Sequence, residues 1–427
     1  MTLIINKIRN KVSNSKTAIN YTSASLLKTF AAILAGIIVI KFVKPEEIGL
    51  WNSLMIITSY TPFLKFGIMK GLNRELPFLL GAGKRDEAEK YAAAAKWYAL
   101  ALSYISIFLV VLVFVYLYFF KELEKNMVAG ILGVGVVISC NFYFEYLAAT
   151  FRSERAFNRL AKVHFIQFFI ILSTIPVVYF HGFYGLVIYN SFVAFSLMGL
   201  MHLIRPLRVK SKLSFSLLSG LAKTGIPLFV FSFILGISKT FPKIILLSAG
   251  GVLAVGLFAP ANAINIGMRS LPGILSQYFY PKMSYSFGKY NDKRRLWAMA
   301  WKISGGLFVF GLIVALVSWP LVAYVIKNYF PDYVEGIFPA QMALVSGIFT
   351  GSLVSVNSLA SIKANKSFLV FSLSKAILFF VLPWVFTRFY DPLTGVALGI
   401  VAANLVQFLL GMHLLYFNLY KGANEAI

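Results

Sequence analysis

Apolar residues in this chain run in long uninterrupted stretches, not in the short alternating blocks of a water-soluble domain. A helix needs about twenty apolar residues to cross roughly 30 Å of hydrocarbon. Stretches of that kind can be marked off at 18–43, 47–72, 93–120, 127–150, 163–180, 183–204, 224–248, 251–280, 296–326, 336–361, 367–389 and 393–418. The pattern predicts an all-α polytopic membrane protein with about 12 transmembrane helices. Hydrophobic residues make up 59% of the 427 positions and charged residues only 13%, which excludes an ordinary soluble domain.

Polar positions inside these stretches keep helical phase. Six basic side chains, Lys28, Lys65, Lys239, Lys243, Arg269 and Lys375, fall within apolar runs, and one acid, Glu145, lies at comparable depth. A basic residue at the centre of a membrane helix costs about 2.5–3.5 kcal/mol, so six facing lipid would cost about 15–21 kcal/mol, more than most domains' folding stability. They are expected to face water or negative charge. Residues three or four apart share a helix face, which puts Lys28 with Ser25, Ala31, Ala32 and Ala35. The same spacing aligns Lys239 and Lys243 with Gly225, Ser232 and Gly236, and Arg269 with Asn262, Asn265 and Ser276. Thr58, Thr61 and Lys65 form a further stripe, and Ala397, Asn404, Gln407 and Gly411 an uncharged one. All are candidate cavity lining. Two readings stay open for Lys65, Lys243 and Lys375, since a lysine stem also lets the ammonium snorkel to an interface. The stripe with Asn404 and Gln407 suits helix packing as well as a cavity. Glu145 is the candidate for H+ or Na+ coupling, or else the partner of a nearby base.

Net charge is +25. In a soluble protein this would suggest nucleic acid. Here most basic residues sit in short loops between spans, where they set orientation and meet anionic lipid, and nucleic acid is not an expected partner. Arg152, Arg155, Arg159 and Lys162, then Arg205, Arg208, Lys210 and Lys212, then Lys289, Lys293, Arg294 and Arg295 mark cytoplasmic loops, with both termini inside. External turns are as short as His181-Gly182 or Ser248-Ala249-Gly250-Gly251. Residues 1–17 read as a basic interfacial segment before an uncleaved first span. Cys140 is the only cysteine and the four histidines show no ligand spacing, so neither an internal disulfide nor a metal site is expected. Gly81-Ala82-Gly83-Lys84-Arg85 lacks the first glycine and the hydroxyl residue of a P-loop, so energy is expected from an ion gradient, the membrane potential or the substrate gradient.

The two halves carry related landmarks about 206 residues apart. Ile48-Gly49-Leu50-Trp51 corresponds to Val255-Gly256-Leu257-Phe258, and Gly83-Lys84-Arg85-Asp86 to Gly288-Lys289-Tyr290-Asn291-Asp292, with Pro77 and Pro281 shortly before. A duplicated six-helix unit predicts two pseudo-symmetric bundles around a central cavity. The expected organisation is a first bundle at 18–204, a cytoplasmic linker at 205–223, a second bundle at 224–418 and a tail at 419–427. Prolines at 62, 176, 227, 242, 260, 272, 320, 339 and 383 fall in or beside spans, and Pro260 and Pro272 bracket Arg269. They are sites of static kinks or of hinges.

Gly49-Leu50-Trp51 at the head of the second span, Gly71-Leu72-Asn73-Arg74-Glu75-Leu76-Pro77 at its foot and the loop after Gly83-Lys84 resemble the O-antigen and polysaccharide repeat-unit flippases. These belong to the multidrug/oligosaccharidyl-lipid/polysaccharide exporter superfamily. The resemblance implies a bacterial inner-membrane protein that moves an undecaprenyl-pyrophosphate-linked oligosaccharide to the outer leaflet by alternating access. It implies no cofactor, and polysaccharide polymerase machinery as a partner. With it, Arg269, Lys28 and Lys239 are expected to hold the phosphates, with Lys65, Lys243 and Lys375 adding positive charge. A multidrug antiporter of the same superfamily is the alternative, disfavoured because cationic drugs call for intramembrane carboxylates. A membrane glycosyltransferase would need a larger external loop with acidic residues.

Overall fold

Hydrocarbon offers backbone amides no hydrogen-bond partner, so a spanning segment has to satisfy its N–H and C=O groups internally. The computed structural model describes residues 2–120, 124–290, 292–353, 356, 359 and 364–421, and among these there are helices and no strands. The order is α1 (Thr2–Phe42), α2 (Pro45–Leu54), α3 (Thr61–Leu64), α4 (Ile68–Gly81), α5 (Arg85–Phe120), α6 (Lys125–Ser153), α7 (Phe157–Ser173) and α8 (Ile175–Leu203). It continues with α9 (Phe215–Ile237), α10 (Phe241–Leu257), α11 (Ala259–Tyr290), α12 (Lys293–Tyr329), α13 (Ile337–Ser352), α14 (Asn365–Phe386) and α15 (Pro392–Leu415).

Eight helices among the described residues are long and apolar enough to cross a membrane. Other expected spans are assembled from shorter pieces. The second consists of α2, a 3₁₀ turn at Met55–Ser59, α3 and α4. The expected external turns shrink to single glycines with left-handed backbone, Gly182 (φ 53°) within α8 and Gly251 (φ 69°) within α10. The basic N-terminal segment and the first span form one unbroken helix, α1. The end of the tenth expected span and the tail beyond Lys421 lie outside the described residues. The repeat is visible as element order: α5, α6, α7 and the later part of α8 recur as α12, α13, α14 and α15 at nearly the same spacing.

The chain divides into two compact units. The first comprises Met1–Val43 and Ile57–Ser232, the second Lys44–Ile56 and Phe233–Ile427. α2 thus belongs with the second unit, and most of α9 with the first. In the first, Ala88, Ala92, Ala95 and Ala99 of α5 are fully buried, among a core that includes Leu72, Leu76, Tyr146, Leu147 and Phe151. Small residues at helical spacing let membrane helices approach closely, where dispersion replaces the hydrophobic effect that lipid cannot supply. The second unit's core includes Ile245, Leu246, Val255, Phe258, Phe379, Val396 and Ile400.

Glycines carry the tightest approaches within each unit. In the first, a Cβ on Gly71 would stand 2.0 Å from the Leu221 carbonyl oxygen, and one on Gly225 2.0 Å from that of Gly67. In the second, a Cβ on Gly256 would stand 1.7 Å from the Pro45 carbonyl oxygen. Neither backbone can yield without separating α4 from α9, or α2 from α10. Gly71→Ala and Gly256→Ala are expected to cost about 1–3 kcal/mol each through overpacking. Gly36→Ala, which meets no atom within 4 Å, is expected to leave stability unchanged or raise it. Thermal midpoints of detergent-purified protein check this, and equal midpoints for all three variants would refute it.

Candidate functional site

The polar stripes of the second unit converge on one cavity. α9 ends at Ile237, Ser238–Thr240 form a turn, and α10 starts at Phe241 with Pro242 in its first turn. Pro242 supplies no N–H and has its φ preset for a helix start, which suits this break in the span. The break brings Lys239 and, one turn later, Lys243 onto the same side. α11 presents Asn262, Asn265 and Arg269 from the opposite wall. Together with Pro242, Leu246, Phe258, Phe379 and Ile400, these residues line a cavity of about 90 Å³, room for roughly three waters. Lys239 is exposed at the cavity, and the other two cations are half-buried.

Lys375 completes the group. Its ammonium lies 5.5 Å from the Phe379 ring centroid, one turn along α14. It feels the positive charges of Arg269 and Lys239, as Lys239 feels that of Arg269. Of the two lysines whose stems could also carry the ammonium to an interface, Lys243 lines the cavity, while Lys375 lies beside Phe379, a lining residue. Among the described residues no carboxylate pairs with Lys239, Lys243, Arg269 or Lys375. Arg269 Nε and Asn265 Oδ1 are buried without a hydrogen-bond partner, while Asn265 Nδ2 donates to the Ala261 carbonyl at 3.1 Å. A guanidinium with its Nε unbonded, sharing a cavity with two ammonium groups, is costly to bury unless something negative, or ordered water, meets it.

Two expected cavity residues are elsewhere. Asn404 donates to Ser346 Oγ (2.8 Å) and the Ile400 carbonyl (3.0 Å), and accepts from Thr350 Oγ1 (3.0 Å). Gln407 donates to the Phe371 carbonyl (2.8 Å) and accepts from Ser374 Oγ (3.3 Å). Both are essentially fully buried. They join α15 to α13 and α14, so their amides are consumed by packing and do not line the cavity.

Lys65 and Lys28 belong to the first unit, and their surroundings differ. α3 stops at Leu64, and the chain then turns through Phe66 (φ 42°) and Gly67 (φ 72°) before α4. The carbonyl freed at Leu64 accepts the Tyr98 hydroxyl at 2.6 Å. At this break the Lys65 ammonium donates to Glu145 Oε1 at 2.5 Å and lies 5.5 Å from the Phe142 ring centroid. Its side chain is 7% exposed against 42% for Glu145. Lys65 is therefore a compensated charge and not part of a free cationic surface. Glu145, the coupling candidate, is the group that compensates it. Lys28 is half-buried on α1, close enough to His164 of α7 for the two to interact electrostatically. His164 lies on another helix, and nothing local in its own span marks it as a neighbour of Lys28.

Removing one member of the ion pair should expose its worth. Glu145→Gln leaves the Lys65 ammonium buried without a counter-charge and is expected to cost about 1–3 kcal/mol. The double replacement Lys65→Met with Glu145→Leu is expected to recover most of that loss. Thermal midpoints in detergent measure both, and an unchanged midpoint in Glu145→Gln would mean that the pair carries no stability.

No family model and no curated protein matches the chain. Solved structures do. An inward-facing multidrug resistance MATE family transporter of the MOP superfamily superposes with a TM-score of 0.69 at 14% identity, covering 95% of this chain and 98% of that one. An outward-facing MATE family transporter gives 0.59 at 16% identity, covering 95% and 96%. A MOP superfamily transporter from Pyrococcus furiosus, whose description reports a binding pocket of reverse polarity, gives 0.60 at 17% identity, covering 95% of both chains. The chain has the all-helical fold of MATE transporters of the MOP superfamily.

Proposed function

We propose that this protein is a transporter of an anionic lipid-linked substrate. In its concrete form, it is a flippase carrying an undecaprenyl-pyrophosphate-linked oligosaccharide from the cytoplasmic to the outer leaflet of a bacterial inner membrane by alternating access. The observation that carries the reading is the cluster of Lys239, Lys243, Arg269 and Lys375 with no carboxylate paired to it among the described residues. At an effective dielectric near 20, a cation about 6 Å from a phosphate contributes nearly 3 kcal/mol per unit charge. Four such groups offset much of the cost of stripping water from a pyrophosphate. Arg269 adds a planar fork suited to two phosphate oxygens, while the lysines act as mobile point charges. Asn262 and Asn265 supply the hydrogen-bonding groups that sugar hydroxyls require.

The MATE neighbours are described as multidrug resistance proteins, which makes drug export the competing reading. Sign of charge separates the two. A cationic drug in this cavity would meet four like charges, and the one intramembrane acid, Glu145, is engaged by Lys65. The Pyrococcus furiosus transporter's reversed pocket polarity is said there to suggest a different function, and a cationic cavity in this chain supports a departure of that kind. Lys28 is assigned to the first unit's share of the substrate path. No cofactor is required, and coupling to H+ or Na+ through Glu145 would first have to release Lys65. Polysaccharide polymerase machinery is the partner that would use the flipped product, and the basic loops favour an orientation with both termini in the cytoplasm.

Reconstitution tests the proposal. Liposomes loaded with a labelled polyprenyl-pyrophosphate oligosaccharide are expected to show leaflet exchange that depends on the protein, measured with and without an ion gradient. Arg269→Ala, Lys239→Ala and Lys28→Ala are each expected to slow it at least roughly tenfold while inserting normally. No exchange by the parent protein, together with export of a cationic dye, would reverse the ranking of the two readings.

A further inference from the structure

The first unit contains an open groove of about 550 Å³ between α1 and α7, apart from the cationic cavity. α1 contributes Asn20, Ser23, Ala24 and Leu27, and α7 contributes Asn158, Ala161, Lys162 and Phe165. Each set follows the same i, i+3, i+4, i+7 ladder, so each helix turns one continuous face to the groove. The floor is small: Ala24 and Ala161 are 7% and 8% exposed. The walls are graded. Asn20, Ser23, Asn158 and Lys162 stand toward the basic loop end, while Leu27 and Phe165, 40% and 49% exposed, lie deeper along the helices. Seven positions of helix span about 10 Å, the depth from a phospholipid headgroup to the first part of its acyl chains.

Charge at the polar end is one-sided. Lys162 is exposed and makes no ion pair among the described residues, and Arg155 and Arg159 flank it, also exposed. The acid of the α6–α7 turn, Glu154, is already held by Arg85 at 3.2 Å. We infer that this groove is a binding site for an anionic phospholipid of the cytoplasmic leaflet, its phosphate at Lys162 beside the Asn20 amide and the Ser23 hydroxyl, and its acyl chain against Leu27 and Phe165. The polar-to-apolar gradient matches a whole lipid and not a free anion. The unopposed positive charge selects an anionic headgroup over a zwitterionic one. This site is independent of the transport reading.

Site-resolved photo-crosslinking in proteoliposomes tests it with the full chain. Phosphatidylglycerol with a photoreactive group near the top of its acyl chain is expected to label the 20–27 and 158–165 segments about fivefold more than matched phosphatidylcholine, the weight of one lysine at an anionic surface. Lys162→Gln is expected to remove that preference. Ser23→Leu, at an exposed position, is expected to lower labelling there independently, should the charge change disturb folding. Equal labelling by the two lipids, labelling confined to other segments, or parent-like labelling in both variants would overturn the assignment. Inorganic phosphate in excess is expected to leave labelling unchanged; displacement by it would mean that the groove reads phosphate alone.

Discussion

The constraint on which the whole structure depends is that no backbone amide can be left unbonded in hydrocarbon. It forces the chain into helices, and it makes each interruption of a helix a place that needs special chemistry. Two interruptions matter most. At Leu64–Gly67 the freed Leu64 carbonyl takes a hydroxyl from Tyr98, and the flanking Lys65 takes its counter-charge from Glu145. At Ser238–Thr240 the turn is closed by backbone bonds from Lys239 and Thr240 to Gly236 and Ile237, and Lys239 is delivered to the cavity wall. Each of these two breaks therefore carries a lysine, because irregular backbone at membrane depth is tolerated where it is buried in protein or faces a wet space.

The two breaks end in opposite electrostatic states. The first is neutralised internally, so its contribution is structural, with Phe142 over the lysine and a carboxylate beside it. The second is not. Lys239, Lys243 and Arg269 line one cavity with two amides, Lys375 lies within electrostatic reach of it, and like charges so placed repel one another unless an anion or water screens them. A cavity with this balance favours an anion over a cation, and that sign of charge is the feature on which the proposed function rests.

Much of this was legible in the residues. Hydropathy windows anticipated the eight helices long and apolar enough to span, and two of the short turns expected between spans fall at Gly182 and Gly251, whose positive φ interrupts α8 and α10. The offset between the halves anticipated the recurring helix order. Helical phase alone put Lys239 and Lys243 on one stripe and Asn262, Asn265 and Arg269 on another, and these stripes do meet. Phase leaves two readings open where the outcome depends on a second helix. The stripe carrying Asn404 and Gln407 looks in sequence much like the stripe carrying Asn262 and Asn265, yet its amides are used up by Ser346, Thr350, Ser374 and the Phe371 carbonyl.

Fold class, the apolar stretches, the charged faces as helical stripes and the excess of positive charge are all readable from the residues, because each depends on a window of about twenty residues or on composition. The pairing of Lys65 with Glu145, the place of Lys375 beside Phe379 and the use of two of four candidate amides in packing come from contacts between helices. The reason is geometric. A helix's own periodicity says which side chains share a face, but the direction that face points is set by the rotation and packing of its neighbours, and a charge is free or compensated only in relation to them.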